Sequence, residues 1–252
     1  MKTLFVGQNS IHLKSVDSTN SYASELLRQI SLPDGTLFYT FDQQNGRGQR
    51  GNSWESEPSK NVALSYILHA KFLAPNKQFL LTKTVSLAVA DVMTDTLKKE
   101  GIQADVKIKW PNDIYVNGNK IAGILIENIL KDNTIQHSII GIGININQTE
   151  FKTTSKATSL KILIKKEQSK EMLLELLSSK LEAYYLKLKS NRISDLDAAY
   201  LKQLYQFETP ALYETDSGQF IGTLSGVSET GKLQIIMGTG IREFDLKEIR
   251  FI

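Results

Sequence analysis

Apolar and polar positions along the chain fall into stretches of two different periods. After a short strand-like opening, Tyr22, Ala23, Leu26, Leu27 and Ile30 recur at helical spacing behind the cap candidates Asp17, Ser18, Thr19 and Asn20. Pro33-Asp34-Gly35 turns the chain, and a β-rich run follows over residues 36–41. Residues 61–70 are apolar enough for a buried strand. Residues 76–100 predict a long amphipathic helix ended by Gly101. Four strands are then predicted over 105–110, 114–116, 120–128 and 135–145, with Asn117-Gly118 as a hairpin turn. Residues 168–206 predict two helices, the first with Met172, Leu173, Leu176, Leu177, Leu181 and Tyr184 toward the core. From Phe207 onward, short β segments set off by glycines between Gly218 and Gly240 suggest a small barrel.

Consecutive strands mixed with helices, rather than strict alternation, predict an α+β fold with a largely antiparallel mixed sheet, not a Rossmann fold. A boundary near Gln206 would separate a main domain, 1–206, from a small β domain, 207–252. At 252 residues, with 41% hydrophobic and 23% charged positions, the chain can bury a sizeable core as an ordinary soluble protein. The N-terminus lacks an apolar core of signal-peptide length, and no run approaches the roughly 18 apolar residues of a membrane span, so a cytoplasmic protein is expected. A net charge of +3 does not argue for nucleic acid. The lysine-rich stretch from 152 to 170 is expected to be a solvated loop and helix entry. Having no cysteine excludes disulfides, thiolate-bound zinc, iron–sulfur clusters and a cysteine nucleophile. His12, His69 and His137 fit no metal or triad spacing, which leaves them as structural or surface residues.

Four segments carry candidate chemistry. Gln43-Gln44-Asn45-Gly46-Arg47-Gly48-Gln49-Arg50-Gly51 joins three glycines, which let backbone amides turn inward, to two arginines suited to phosphate oxygens. No Gly-Lys-Ser/Thr follows, so it is no Walker loop; a plain surface loop has the same texture. Lys109-Trp110-Pro111-Asn112-Asp113 ends a strand on a rigid turn with an amide beside a carboxylate, able to hold magnesium or simply to make an Asn-Asp turn. Lys120 returns across the hairpin toward Asp113, close enough to reach a phosphate there, although most lysines are solvated. Gly141-Ile142-Gly143-Ile144-Asn145-Ile146-Asn147 places glycines at alternate strand positions, open to a flat ligand or to another backbone.

Taken in order, Ser18-Thr19-Asn20, the Gly46 to Gly51 loop, Trp54, Lys109-Trp110-Pro111-Asn112-Asp113, Lys120-Ile121-Ala122-Gly123 and Gly141 to Asn147 resemble the biotin protein ligases. The resemblance runs from about residue 10 to the end and implies an SH3-like barrel at the C-terminus. It also implies that Ser18, Thr19, Asn20, Gln43, Gly46, Gly48, Lys120 and Gly123 meet biotin. Arg47, Gln49, Arg50, Trp54, Asn112, Lys120 and Asn145 would meet ATP, Arg47 and Gln49 meeting biotin too. Arg47, Arg50, Lys120 and Asp113 would be catalytic, with Mg²⁺ facing Asp113.

On this reading the biotin carboxylate attacks the α-phosphate of ATP, and cations and amide dipoles offset the repulsion between the two anions. A lysine of a biotin carboxyl carrier domain, from acetyl-CoA carboxylase or another biotin-dependent carboxylase, then displaces AMP. Gln49 departs from the arginine that many relatives carry. Because Ser18-Thr19-Asn20 begins 17 residues in, a DNA-binding head and a repressor role are not expected. The protein is expected to be a monomer or homodimer with no DNA or membrane partner. A lipoate or octanoyl transferase of related fold is the enzyme alternative, and a non-catalytic biotin-binding regulator the other.

Overall fold

The computed structural model describes residues 2–152 and 156–252, and for Arg50 the backbone alone. In chain order the elements are β1 (Ser10–His12), α1 (Thr19–Gln29), β2 (Thr36–Thr40), β3 (Val62–Leu68), α2 (Phe79–Lys99), β4 (Val106–Lys109), β5 (Asp113–Val116), β6 (Asn119–Lys131), β7 (Thr134–Ile144), α3 (Leu160–Ile164), α4 (Lys170–Lys189) and α5 (Ile193–Gln203), followed by β8 (Pro210–Thr215), β9 (Gly218–Val227), β10 (Leu233–Met237), β11 (Gly240–Phe244) and β12 (Arg250–Phe251).

Seven strands make one sheet in the order β1-β2-β3-β7-β6-β5-β4. Only β1–β2 is parallel, so the sheet is mixed and largely antiparallel. Every residue of β3 is buried, because the strand is covered on both faces. Leu64, Tyr66 and Leu68 join the main core with α2 and α4, while Ile67 joins Ala23 of α1 and Phe38 in a smaller cluster on the other face. The Asn117-Gly118 turn has φ of +50° and +78° at its central residues, the primed geometry that matches strand twist in a two-residue hairpin. Gly101 ends α2 at φ +73°.

Three helix expectations need correction. α2 is not amphipathic: fourteen of its 21 residues are buried, because the sheet, α4 and α5 all pack on it. Even Lys83 is buried there, its Nζ 2.7 Å from Asp197 Oδ1 on α5. On α4 the core face is turned relative to expectation: Leu173, Leu174, Leu177, Leu181 and Tyr185 are buried and Met172 is 60% exposed. At α1, Ile30 caps the helix and is exposed, and Tyr22 is part exposed with its ring edge-on against Phe38. The lysine-rich stretch also contains a short helix, α3, which Leu160 anchors in the core.

The C-terminal strands form a five-stranded antiparallel sheet, β11-β10-β9-β8-β12, with β11 and β12 as its edges. It is an open sheet, and no strand pairing joins those edges among the described residues. Leu224, Leu233, Ile235 and Phe244 belong to the same core cluster as α2, and Trp110 Nε1 donates to Gly231 O at 2.9 Å, fastening this sheet beside the β4–β5 turn. His69 and His137, distant in sequence, meet edge to face at 4.8 Å, and His12 stacks on Tyr39. No described helix is long and apolar enough to cross a membrane.

Candidate functional site

One cavity of about 230 Å³ opens between α1, the glycine-rich loop and one face of the β5-β6-β7 sheet. Ser18, Thr19, Asn20, Gln43, Arg47, Gly48, Gln49, Trp54, Asn112, Asp113, Lys120 and Gly123 all line it, so twelve of the anticipated residues come together. Gly46 stands behind it, where a Cβ would run into Trp54 O. Asn145 is buried away from it: Nδ2 donates to Thr158 O at 3.1 Å, and Oδ1 has no partner. The Arg50 side chain lies outside the described residues.

At one end the side chains from α1, Gln43 and Ser65 are polar and uncharged, and the Arg47–Glu127 ion pair borders them. Ser18 caps α1 through Oγ, which accepts from Ser21 N, and this brings the first turn of the helix to the cavity. Gln43 Oε1 accepts from Thr19 N at 2.9 Å. Ser65, on β3, lies with Oγ 2.8 Å from Thr19 Oγ1 and donates to Asn20 Oδ1 at 2.6 Å. Asn20 Nδ2 donates to Leu125 O at 3.2 Å and to Glu127 Oε2 at 2.7 Å. Glu127 Oε2 also accepts from Arg47 Nη2 at 2.8 Å.

The alternate glycines of β6 and β7 form a furrow, and its occupant is a side chain of this protein. Gly123 and Gly143 are cross-strand partners. The Trp54 indole lies on them so closely that a Cβ at Gly143 would fall 2.5 Å from Cε2, and one at Gly123 2.9 Å from Cζ3. At Gly141 a Cβ would instead collide with the Asn20 carboxamide. Trp54 is held over the furrow by its own N–H to Gly46 O at 2.8 Å, while Gly48 N to Asn52 O at 2.6 Å closes the loop's tip. Its Nε1 is buried without a partner. With the indole seated, the cavity is smaller than the ~300–1,000 Å³ of most small-molecule sites.

At the other end the hairpin does what its length requires: Lys120 Nζ is 2.7 Å from Asp113 Oδ1 and 5.4 Å from the Trp54 ring centroid. Asn112 Nδ2 ties the turn to Ile124 O at 2.6 Å, next to the cis Trp110–Pro111 bond. Lys109, opposite Asp113 in the ladder, lies over the rings of Tyr115, Tyr205 and Phe251 at 5.0–5.9 Å. Burial raises the Asp113 carboxyl above its ordinary 3.8, against the pull of Lys120, and burial lowers Lys109 below its ordinary 10.5. A resident magnesium ion fits poorly here. The carboxylate is engaged by Lys120, and no group of three or more acidic or histidine side chains able to hold a metal occurs among the described residues.

Sequence reasoning missed Ser65, a lone hydroxyl in an apolar strand, and Glu127, a polar position within β6. It also missed Leu246 and Lys247, which reach the cavity from the segment after β11, Lys247 at φ +79°. No local pattern marks any of these four. Between the uncharged polar end and Lys120, Ala63 and Leu125 turn apolar side chains to the cavity, while Leu64, Ile124 and Ile142 border it with their backbone and send their side chains into the core on the other face of the sheet. The cavity therefore suits a ligand with an uncharged polar head, an apolar middle and an anionic end.

The sequence model of the biotin/lipoate A/B protein ligase family matches residues 12–145, more than half of the chain, and the chain belongs to that family. It is 29% identical over 248 residues to the bifunctional ligase/repressor BirA of Bacillus subtilis (strain 168), covering 96% of this chain and 74% of that one. With the biotin–[acetyl-CoA-carboxylase] ligase of Paracoccus denitrificans it shares 27% identity over 237 residues, 92% of this chain and 95% of the other. Among solved structures, the biotin protein ligase from Aquifex aeolicus in complex with biotin and ATP superposes with a TM-score of 0.78 at 26% identity, covering 97% of this chain and all of that one.

Proposed function

We propose that this member of the biotin/lipoate A/B protein ligase family is a biotin protein ligase. It forms biotinyl-5′-AMP from biotin and ATP, then passes the biotinyl group to a lysine of a biotin carboxyl carrier domain of acetyl-CoA carboxylase or another biotin-dependent carboxylase. The observation that carries this reading is that one cavity joins an uncharged hydrogen-bonding end bordered by Arg47, apolar surface from Ala63 and Leu125, and Lys120 beside Asp113. Biotin has that order of groups, a cyclic urea, an aliphatic chain and a carboxylate. The relatives named for biotin ligation, and the Aquifex structure holding biotin and ATP, support the same assignment.

In the first step Ser18, Thr19, Asn20 and Gln43 hold the ureido ring while the chain lies along Ala63 and Leu125. The carboxylate then points to Lys120, whose charge, with those of Arg47 and Arg50, lets it approach the α-phosphate of ATP. The carboxylate oxygen bonds phosphorus and pyrophosphate leaves. Gly46, Gly48 and Gln49 close over the new anhydride, Trp54 flanks the adenine, and Asn112 keeps the strand edge open to the nucleotide. Asn145 braces this face through Thr158. Magnesium arrives with ATP as part of the substrate.

In the second step the neutral amine of the carrier lysine attacks the biotinyl carbonyl, and AMP departs. Asp113 orients that amine and takes its proton. Residues 1–206 carry both steps in this reading; residues 207–252 act as a small SH3-like unit that brings Leu246 and Lys247 to the cavity rim, in a cytoplasmic enzyme. The test is transfer of labelled biotin to a biotin carboxyl carrier domain. ATP-dependent labelling of the acceptor lysine is expected. No labelling, or labelling from lipoate in preference to biotin, overturns the proposal.

A further inference from the structure

Arg47 already has a partner before any substrate anion reaches the loop. Its Nη2 is 2.8 Å from Glu127 Oε2, and the same oxygen accepts from Asn20 Nδ2 at 2.7 Å. Glu127 itself is not among the residues that line the cavity. It follows Gly123 and Leu125 at alternate positions of β6, so the three share one face of the strand.

Asn20 can adopt only one orientation. Leu125 O and the Glu127 carboxylate are acceptors alone, so the amide NH₂ must face them and Oδ1 must take the Ser65 hydroxyl. Asn20 is 3% exposed, and its carboxamide fills the space where Gly141 has no side chain. A buried, fixed amide thus holds the carboxylate, and the carboxylate holds one edge of the Arg47 guanidinium. Five N–H donors belong to an arginine, and this contact uses one edge of the fork, leaving the rest for the cavity that Arg47 lines. Through Ser65, Thr19 and Gln43 the same chain of side-chain contacts runs on to the uncharged end of the cavity.

We propose that Glu127 is a positioning residue for Arg47: with Asn20 it fixes the guanidinium at the cavity rim so that its remaining donors face the nucleotide phosphate. This rests on the ligase reading. An exposed ion pair between two mobile side chains contributes little. Here one partner is tethered to a buried amide, so less side-chain freedom is lost on pairing.

The experiment is steady-state adenylation by the full chain, comparing Glu127→Gln and Glu127→Ala with the unaltered protein. Glutamine keeps an acceptor for Asn20 and removes the charge that holds Arg47. The KM for ATP is expected to rise about three- to fivefold in both variants, as for loss of a partly exposed ion pair. In Glu127→Gln, which keeps the acceptor for Asn20, the KM for biotin should stay within about twofold and the melting temperature within the small range of surface substitutions. An unchanged KM for ATP overturns the proposal. So does a joint rise of both KM values with a fall in melting temperature in Glu127→Gln, which marks a merely structural glutamate. An unaltered protein that forms no biotinyl-AMP sinks the ligase reading and this inference together, whereas an active one with indifferent variants sinks the inference alone.

Discussion

Substituting Gly143 by alanine adds one methyl group beneath the Trp54 indole. That Cβ would sit 2.5 Å from Cε2, 2.6 Å from Nε1 and 2.9 Å from Cζ2, where ordinary contact begins at 3.4 Å. The overlap is therefore close to 1 Å, and the strand cannot yield it: β7 is hydrogen-bonded to β3 on one side and to β6 on the other, with Gly143 paired to Ala63 and Gly123. Trp54 must move instead, since it rides on the loop and has few other ties. Overpacking of this kind costs about 1–3 kcal/mol, which lowers the population of the seated indole about 5- to 160-fold. The chain has two tryptophans, and Trp110 is 5% exposed with its own bond to Gly231, so it serves as an unmoved reference. Gly143→Ala should red-shift the Trp54 contribution to the emission, make it more quenchable by acrylamide, and raise the KM for ATP. Gly141→Ala, which strikes Asn20, should leave Trp54 in place and weaken biotin. A Gly143→Ala protein with unaltered emission, quenching and KM for ATP refutes the reasoning.

Gln49 lines the cavity as a neutral amide, so Gln49→Arg should slow release of bound biotinyl-AMP in a filter-retention assay; an unchanged release rate ends that idea. Burial holds the Asp113 carboxyl above its ordinary 3.8, so as pH falls it is protonated earlier than an exposed aspartate and its pair with Lys120 dissolves. The acid limb of kcat/KM for carrier biotinylation should accordingly lie above pH 3.8, and a limb at or below that value contradicts the assignment. Glu182, 7% exposed, accepts backbone N–H bonds from Leu4, Phe5 and Val6. Glu182→Ala leaves those donors unpaired and should destabilise the fold by about 1–3 kcal/mol in urea denaturation, with Glu182→Gln losing less. Wild-type stability in the alanine variant would show that the N-terminal segment finds other partners.

The parts of the fold that sequence makes legible are those decided by local chemistry. Asn117-Gly118 must turn because only such a pair accepts two positive φ values, and that turn alone sets Lys120 beside Asp113. Ser18 caps a helix because its hydroxyl can accept from the backbone two or three residues on. What sequence hides is decided by neighbours distant along the chain. α2 has apolar residues on nearly all sides, and the 3.6-residue period cannot announce that a sheet and two helices will enclose it. Met172 carries the apolar pattern and still faces solvent, because the packed face of α4 runs through Leu173, Leu177 and Leu181 instead. In the site, the glycines of β6 and β7 mark a surface open to close approach, but nothing local names Trp54 and Asn20 as what approaches. Ser65, Glu127 and Lys247 become site residues only through pairing and docking. Asn145, inside a conspicuous motif, bonds Thr158 instead.

The central claim is that one cavity holds biotin's carboxylate and the α-phosphate of ATP together across Lys120. It is tested most directly by pyrophosphate release from ATP in the absence of any carrier protein. The protein should release pyrophosphate only when biotin is added, and Lys120→Ala should reduce that rate by about a hundredfold or more, the scale of losing one preorganised contact to developing charge. Release without biotin, or a rate unaffected by removing Lys120, would contradict the account.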